Sequence, residues 1–297
     1  MDRLVILGSK GGPAIRTGGP SPTSMLLEVQ GRSYVIDCGL GVTRGLVEAG
    51  VPLASLATIL ITHHHSDHNL EFGNLIYTAW VAGLASPVVA YGAKGLARMG
   101  ELFFDLNRFD IETRIADEGR PDLRRMLTVH EYVEGPVLDD GTVRVTALRN
   151  HHPPVVDSFA LRFEFNSSAG APRNIVFSGD TAYLPKLAEF ARGADILVHE
   201  AMLGDGVDAL VARVKNGSRL REHLLASHTM ADDVGRIATA AGVGRLVLNH
   251  LTPADDPAFG PADWEKAVRT TWAGPLTVAR DGLTLLLRDA EPADTPP

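Results

Sequence analysis

Cysteine is almost missing from this chain: Cys38 stands alone among 297 residues. A single thiol excludes an internal disulfide and a thiolate metal cluster, and it agrees with a reducing compartment. Its position after Tyr34-Val35-Ile36-Asp37 reads as a small buried residue. Long hydrophobic runs are missing too, since no apolar stretch approaches the roughly 20 residues that crossing a bilayer needs. The opening Met1-Asp2-Arg3-Leu4-Val5-Ile6-Leu7-Gly8 carries no basic leader and no small-residue cleavage site, so a cytoplasmic protein is expected. Basic blocks are absent as well. Lys and Arg number 28 against 36 Asp and Glu, mixed along the chain, for a formal charge of −8. Such a balance gives no general attraction for polyanions and lowers the expectation of a broad nucleic-acid footprint, though it leaves a local basic patch open.

What is present is an ample core, with 45% apolar residues. Strand patterns occupy residues 3–7, 24–29, 33–37 and 58–61, separated by turns such as Gly18-Gly19-Pro20-Ser21-Pro22. Gly8, Gly11 and Gly12 invite comparison with a phosphate-binding loop, but no Gly-Lys-Ser/Thr follows and the next element reads as a strand, which argues against a mononucleotide P-loop. Helical periodicity covers residues 70–84 and a mixed helical insert residues 94–125, whose stripe Leu96, Met99, Leu102, Phe103, Leu106 and Phe109 reads mainly as core-facing. Strands resume at 143–148, 158–165, 174–177, 196–199 and 245–248, with helices at 183–192 and 231–241 between them. A last pair, 276–279 and 283–287, straddles Asp281-Gly282, which is a hairpin signal. Strand runs followed by strand–helix alternation occur twice. The pattern predicts one α/β domain over 1–290, made of two similar halves packed sheet to sheet with helices outside, and a frayed tail over 291–297.

The chemistry concentrates at His63-His64-His65-Ser66-Asp67-His68-Asn69, where a buried strand gives way to a loop. His63, His65 and Asp67 alternate, so an extended segment turns all three one way, and His68 adds a fourth donor. Neutral imidazoles and carboxylates suit zinc, manganese or iron(II), and one ion could take His63 and His65 while Asp67 and His68 reach a second. Each centre still lacks ligands. Three later segments lie just past expected strands: Asn150-His151-His152-Pro153-Pro154, Phe177-Ser178-Gly179-Asp180-Thr181 and Leu248-Asn249-His250-Leu251.

Together with Ile6-Leu7-Gly8, Asp37-Cys38-Gly39, His199-Glu200-Ala201 and Ser227-His228-Thr229, these motifs resemble, in order and over nearly the whole chain, the metallo-β-lactamase-fold hydrolases, in the branch holding ribonuclease Z and the arylsulfatase-like enzymes. The resemblance implies a four-layer αβ/βα sandwich with its site at one edge of the packed sheets. It implies two divalent ions, zinc first and manganese or iron(II) as alternatives: one held by His63, His65 and His152, the other by Asp67, His68 and His250, with Asp180 bridging. His152 is preferred to His151 from its distance to Ser158-Phe159-Ala160-Leu161-Arg162. A hydroxide bridging the ions would be the nucleophile, Asp67 would orient it, and His228 supported by Glu200 would protonate the leaving group. His64 is expected to turn away, and His130, His199 and His223 receive no role.

Substrate is less determined. Transfer-RNA-processing relatives carry a long arm between the third histidine motif and the bridging aspartate, yet only 28 positions separate His152 from Asp180 here, and Ser167-Ser168-Ala169-Gly170-Ala171-Pro172 is a hairpin-sized turn. The acids of Leu251-Thr252-Pro253-Ala254-Asp255-Asp256 would repel phosphates, while Phe103, Phe104 and Phe109 could wall an apolar pocket. The expectation is therefore a hydrolase of small sulfate or phosphate (di)esters, arylsulfatase-like or a small phosphodiesterase, working as a homodimer. The alternatives are an armless ribonuclease Z-like RNA phosphodiesterase, a lactonase or amidase, and a non-catalytic metal-binding member of the fold.

Overall fold

The computed structural model describes residues 2–84 and 86–287, so the expected frayed tail lies outside them. The first half contains β1 (Arg3–Gly8), β2 (Ser24–Val29), β3 (Arg32–Ile36), α1 (Val42–Glu48), β4 (Thr58–Leu60), α2 (Ser66–Asn69), α3 (Phe72–Val81), β5 (Val88–Gly92), α4 (Leu96–Leu106), α5 (Arg108–Glu118) and β6 (Leu127–Glu131). The second half contains β7 (Gly135–Asp139), β8 (Val143–Arg149), β9 (Phe159–Asn166), β10 (Pro172–Phe177), α6 (Pro185–Phe190), β11 (Ile196–Met202), α7 (Gly204–Arg213), α8 (Leu220–Ser227), α9 (Ala231–Ala241), β12 (Arg245–Thr252), α10 (Pro261–Val268) and β13 (Leu276–Val278); β14 (Thr284–Leu286) then returns to the first sheet. Among the described residues the strands form two seven-stranded sheets, ordered β14-β1-β2-β3-β4-β5-β6 and β13-β12-β11-β10-β9-β8-β7. No described helix is long and apolar enough to cross a membrane.

Both faces of each sheet are covered, which is why the strands read as near-continuous apolar runs. Successive side chains point to opposite faces. In β1, Leu4 and Ile6 enter the core between the sheets, whereas Val5 and Leu7 pack under α1 and α3. Likewise Phe159, Leu161 and Phe163 of β9 face the first sheet, and Ala160 faces the outer helices. The result is four layers: helices, sheet, sheet, helices. Helix α9 shows how the outer layer is encoded. Asp232 and Asp233 sit in its first turn, Gly242 closes it at φ 62°, and Val234, Ile237, Ala238 and Ala241 form its buried stripe. Each large apolar side chain so buried contributes about 1.5–3 kcal/mol.

Two expectations need correction. The turn at Asp281-Gly282 is no hairpin, because β13 pairs with β12 in one sheet and β14 with β1 in the other. Its carboxylate instead ties loops together: Asp281 accepts from Ser9 N–H and hydroxyl at 3.0 and 2.8 Å and from Ser21 N–H at 2.8 Å. The three phenylalanines of the insert also do not wall one pocket. Phe103 and Phe104 join the first core, while Phe109, beyond the break at Asn107, is 84% exposed. Phe103 and Phe104 pack edge-on to each other with centroids 6.2 Å apart, and Phe109 stands away from both.

Candidate active site

The parallel strands β3, β4, β10, β11 and β12 all end on one edge of the sandwich, and the polar side chains gather there. Beyond β4 the backbone runs without helix through Ile61 to His65, and α2 then brings Asp67 and His68 inward. His64 turns away, its Nε2 donating to the Ala93 carbonyl at 3.1 Å and its Nδ1 accepting from Asn69 Nδ2 at 3.2 Å.

Two sets of donors converge: His63, His65, His152 and Asp180, and Asp67, His68, Asp180 and His250, with Asp180 common to both. Within each set the nearest atoms lie within 4.8 Å of one another. A single oxygen, Asp180 Oδ2, stands 3.8 Å from His63 Nε2, 3.9 Å from His152 Nε2, 3.3 Å from His68 Nε2 and 3.2 Å from His250 Nε2. His151, by contrast, is exposed.

These residues fit divalent ions on three observations. First, His65 Nδ1 is approached by His63 Nε2 at 3.1 Å and by His152 Nε2 at 3.0 Å. Since His152 Nδ1 donates to the Ser227 carbonyl at 2.8 Å, its Nε2 is a bare lone pair, and one shared proton cannot satisfy three converging nitrogens. Two ligands of one ion with bonds near 2.05 Å stand roughly 2.9–3.4 Å apart, which matches. Second, His68 Nε2 and Asp180 Oδ1 are buried without a hydrogen-bond partner, a costly state for groups meant only for structure. Third, burial alone would lower the His68 pKa, but the carboxylates of Asp180, Asp37 and Asp67 hold it well above the usual imidazole range. The local field calls for positive charge.

Several residues to which no individual role was assigned from sequence fix these donors. Asp37 ends β3 at φ 61° and accepts from Thr62 N–H at 2.8 Å, from the Thr62 hydroxyl, and from His68 Nδ1 at 2.8 Å, which leaves His68 Nε2 facing the site. Asn150 Nδ2 donates to the carbonyls of Ser178 and Asp180 at 2.7 and 3.1 Å, and Ser158 donates to the latter at 2.9 Å. Gly179 lies between them at φ 56°, where a Cβ would come within 2.5 Å of the Phe159 carbonyl oxygen. On the other side Gly12 N–H donates to Asp67 Oδ2 at 2.7 Å, and the buried Lys10 ammonium clasps the carbonyls of Gly11 and Gly12 at 2.9 Å each. The glycines that resembled a phosphate loop thus serve the carboxylate. An acid placed directly before Cys38-Gly39 at a strand end was the available signal for Asp37. Lys10 and Asn150 offered none, because their partners are remote in sequence.

Beside the two sets stands a third group, Glu200, His228 and His250. Glu200, inside β11, is wholly buried; its Oε1 accepts from Thr181 N–H at 2.7 Å and its Oε2 meets His228 Nδ1 at 2.8 Å. Burial pushes the Glu200 carboxyl up and the His228 charge opposes it. For His228 burial lowers the pKa, but Glu200, joined by Asp180 and Asp67, overcomes it and carries the imidazole up to about 9. His228 closes α8 at its C-terminal end and stacks on the His250 ring with centroids 5.5 Å apart. His130 stacks on Tyr91, and His199 donates its Nδ1 proton to the Glu200 carbonyl at 2.7 Å, with burial pushing it down to about 4.

The acids expected to repel phosphates are paired with arginines. Asp255 is not a free acid: its side chain is 3% exposed and is held by Arg16 at 2.7 Å and Arg213 at 3.2 Å. With Lys10 close by, that rim is not a phosphate-repelling surface.

Comparison with known proteins agrees with this geometry. The family model described as anti-Pycsar protein Apyc1 matches residues 3–247. Ribonuclease Z of Mycobacterium bovis (strain BCG / Pasteur 1173P2) is 32% identical over 275 residues, covering 89% of this chain and 94% of that protein. Ribonuclease Z of Mycobacterium sp. (strain KMS) is 32% identical over 273 residues, with 91% and 90% covered. Among solved structures, the short form of human tRNase Z superposes with TM-score 0.68 at 19% identity over 97% of this chain and 100% of that one, and the metallo-β-lactamase fold protein YhfI from Bacillus subtilis with TM-score 0.67 at 22% identity over 96% and 98%. Two converging His/Asp sets at one edge of a four-layer sandwich, on a chain so matched, make this protein a member of the Apyc1 family and a metal-dependent hydrolase of the metallo-β-lactamase fold, in the ribonuclease Z branch.

Proposed function

We propose that this protein is a phosphodiesterase of the ribonuclease Z type. The observation that carries the reading is the buried Glu200–His228 pair, 2.8 Å apart and directly beside Asp180 and His250. A phenolate leaving from an aryl sulfate needs no proton, whereas the alkoxide leaving from a ribose or alkyl phosphodiester does. A carboxylate that keeps an imidazole protonated is built for the second case. The aryl-ester expectation loses its support with the dispersal of Phe103, Phe104 and Phe109.

In this reading His63, His65, His152 and Asp180 hold one divalent ion and Asp67, His68, Asp180 and His250 the other, zinc being the first candidate. Such ions supply Lewis acidity toward water and neutralise charge on the phosphoryl oxygens. Asp67, pinned by Gly12 N–H, keeps its carboxylate aimed into the site. His228 Nε2–H delivers the proton to the departing oxygen, and Glu200 stabilises the imidazolium before delivery and sets the ring plane.

A small diester is favoured over a long RNA, because β9 and β10 are joined by a tight turn over residues 167–171 and no arm interrupts them. Exposed Leu102, Leu106 and Phe109 on α4 and α5 are the proposed homodimer contact. Purified, metal-loaded protein offered bis(p-nitrophenyl) phosphate, p-nitrophenyl sulfate and precursor transfer RNA tests the reading. Diester hydrolysis above sulfate hydrolysis is expected; a preference for the sulfate, or no diester turnover, sinks it.

A further inference from the structure

Helices α7 and α8 form a hairpin over a small core, in which Met202, Val207 and Leu224 are buried and the partly buried Leu210, Val211 and Leu220 pack against them. It is fastened at two points. Arg213 at the end of α7 pairs with the buried Asp255, and Ser227 at the end of α8 donates from its hydroxyl to the Pro153 carbonyl at 2.5 Å while its own carbonyl holds His152. One turn before Ser227, on the same face of α8, stands His223.

His223 is half-buried, with ring centroids 6.0 Å from His65, 6.3 Å from His152 and 6.0 Å from His228, each edge-on. It bonds none of them. Its one side-chain hydrogen bond is Nδ1 to the Ser227 hydroxyl at 3.4 Å, too long to fix a tautomer, and its Nε2 has no hydrogen-bond partner among the described residues. His65 is the one histidine of the first set that is not fully buried, and the half-buried His223 is its neighbour on that side. The imidazole therefore neighbours both the donors that would hold metal and the histidine that would hold the proton. A scissile ester attacked at the first and protonated from the second would lie within its reach.

We infer that His223 contacts the substrate, its ring N–H donating to a non-bridging oxygen of the phosphodiester. This rests on the phosphodiesterase reading for its substrate, but not for its geometry. A hydrogen bond to a charged oxygen corresponds to roughly 10- to 100-fold in binding.

The test compares metal-loaded wild type, His223→Ala and His223→Gln, whose amide nitrogen stands near the place of Nε2. Metal content and melting temperature are measured first, then inorganic phosphate binding by calorimetry, then kcat and KM on bis(p-nitrophenyl) phosphate. Expected are unchanged metal and melting, a roughly 10- to 100-fold weaker phosphate affinity and raised KM in His223→Ala, and recovery of most of that loss in His223→Gln. Phosphate affinity within twofold of wild type in His223→Ala overturns the contact, as does loss of metal, or a glutamine variant no better than alanine. If wild type hydrolyses no diester while phosphate binding still follows this pattern, the contact stands and the phosphodiesterase reading alone fails.

Discussion

Exchanging Asp37 for asparagine changes one oxygen to an amide nitrogen at a point that touches no substrate, yet its consequence for the site is specific. Asp37 receives the Nδ1 proton of His68 at 2.8 Å and two hydrogen bonds from Thr62. In Asp37→Asn the amide nitrogen, where it faces His68, presents a proton to Nδ1, drives the imidazole to its other tautomer, and places a hydrogen on the Nε2 that faces Asp180 and Asp67. Substitutions behind a ligating histidine weaken metal binding about 10- to 100-fold, or about 1.4–2.8 kcal/mol. The loss should fall mainly on one ion, because among His63, His65 and His152 only His63 is linked to Asp37, and only through the Thr62 hydroxyl, which lies 3.2 Å from His63 Nδ1. Zinc titration by calorimetry should show two binding steps in wild type; in the variant the first is retained and the second weakened by that factor. Equal weakening of both steps, or of neither, would refute the division of donors into two sets.

Three further outcomes follow from the same geometry. His228→Ala should slow hydrolysis of alkyl or ribose diesters by about 10²- to 10⁴-fold while leaving nitrophenyl diesters nearly untouched; steady-state rates on the two substrate types decide it, and equal losses would remove His228 as the proton donor. Chelation should lower the melting temperature, since ions held by buried donors that follow β4 and β10 and lie on α2 and β12 would stabilise the native state by mass action; scanning calorimetry with and without a chelator reads this, and coincident transitions contradict it. Phe163→Ala should cost about 3–5 kcal/mol in urea denaturation. Its ring is fully buried between the sheets, edge-on to Tyr34 at 6.3 Å and Phe177 at 5.4 Å, and a loss below 1 kcal/mol would mean the intersheet layer is not the main core.

Much of this molecule was legible because its signals are local. The alternation His63, His65, Asp67 is a property of extended chain, and the apolar runs of β1, β10 and β11 follow from sheets covered on both faces. What escaped reading was decided at a distance or at an edge. Strands β6 and β7 are edge strands, one in each sheet, and their exposed and half-exposed residues, among them Pro136, blur the period that buried strands display. Helices α7 and α8 begin among glycines and polar residues and pack on a satellite core. Asp255 was misjudged because its two arginines lie far away, one near the start of the chain and one before α8. The same holds for His223, whose position over the site depends on how a hairpin folds back rather than on its neighbours in sequence.

The return of β14 to the first sheet has a consequence for how the protein is made. Arg3 pairs with Leu286, nearly the full length of the chain apart, so the edge of β1 stays open until the last described strand has been synthesised. Closing so long a loop is slow compared with forming the local β2–β3 pairing. The nascent first half therefore waits with an uncovered strand, and His250, just ahead of that closing segment, is the last of the donors to arrive. Completion of the sheet and completion of the site are late events of one stretch of synthesis, so a chain that stops short of β12 lacks both.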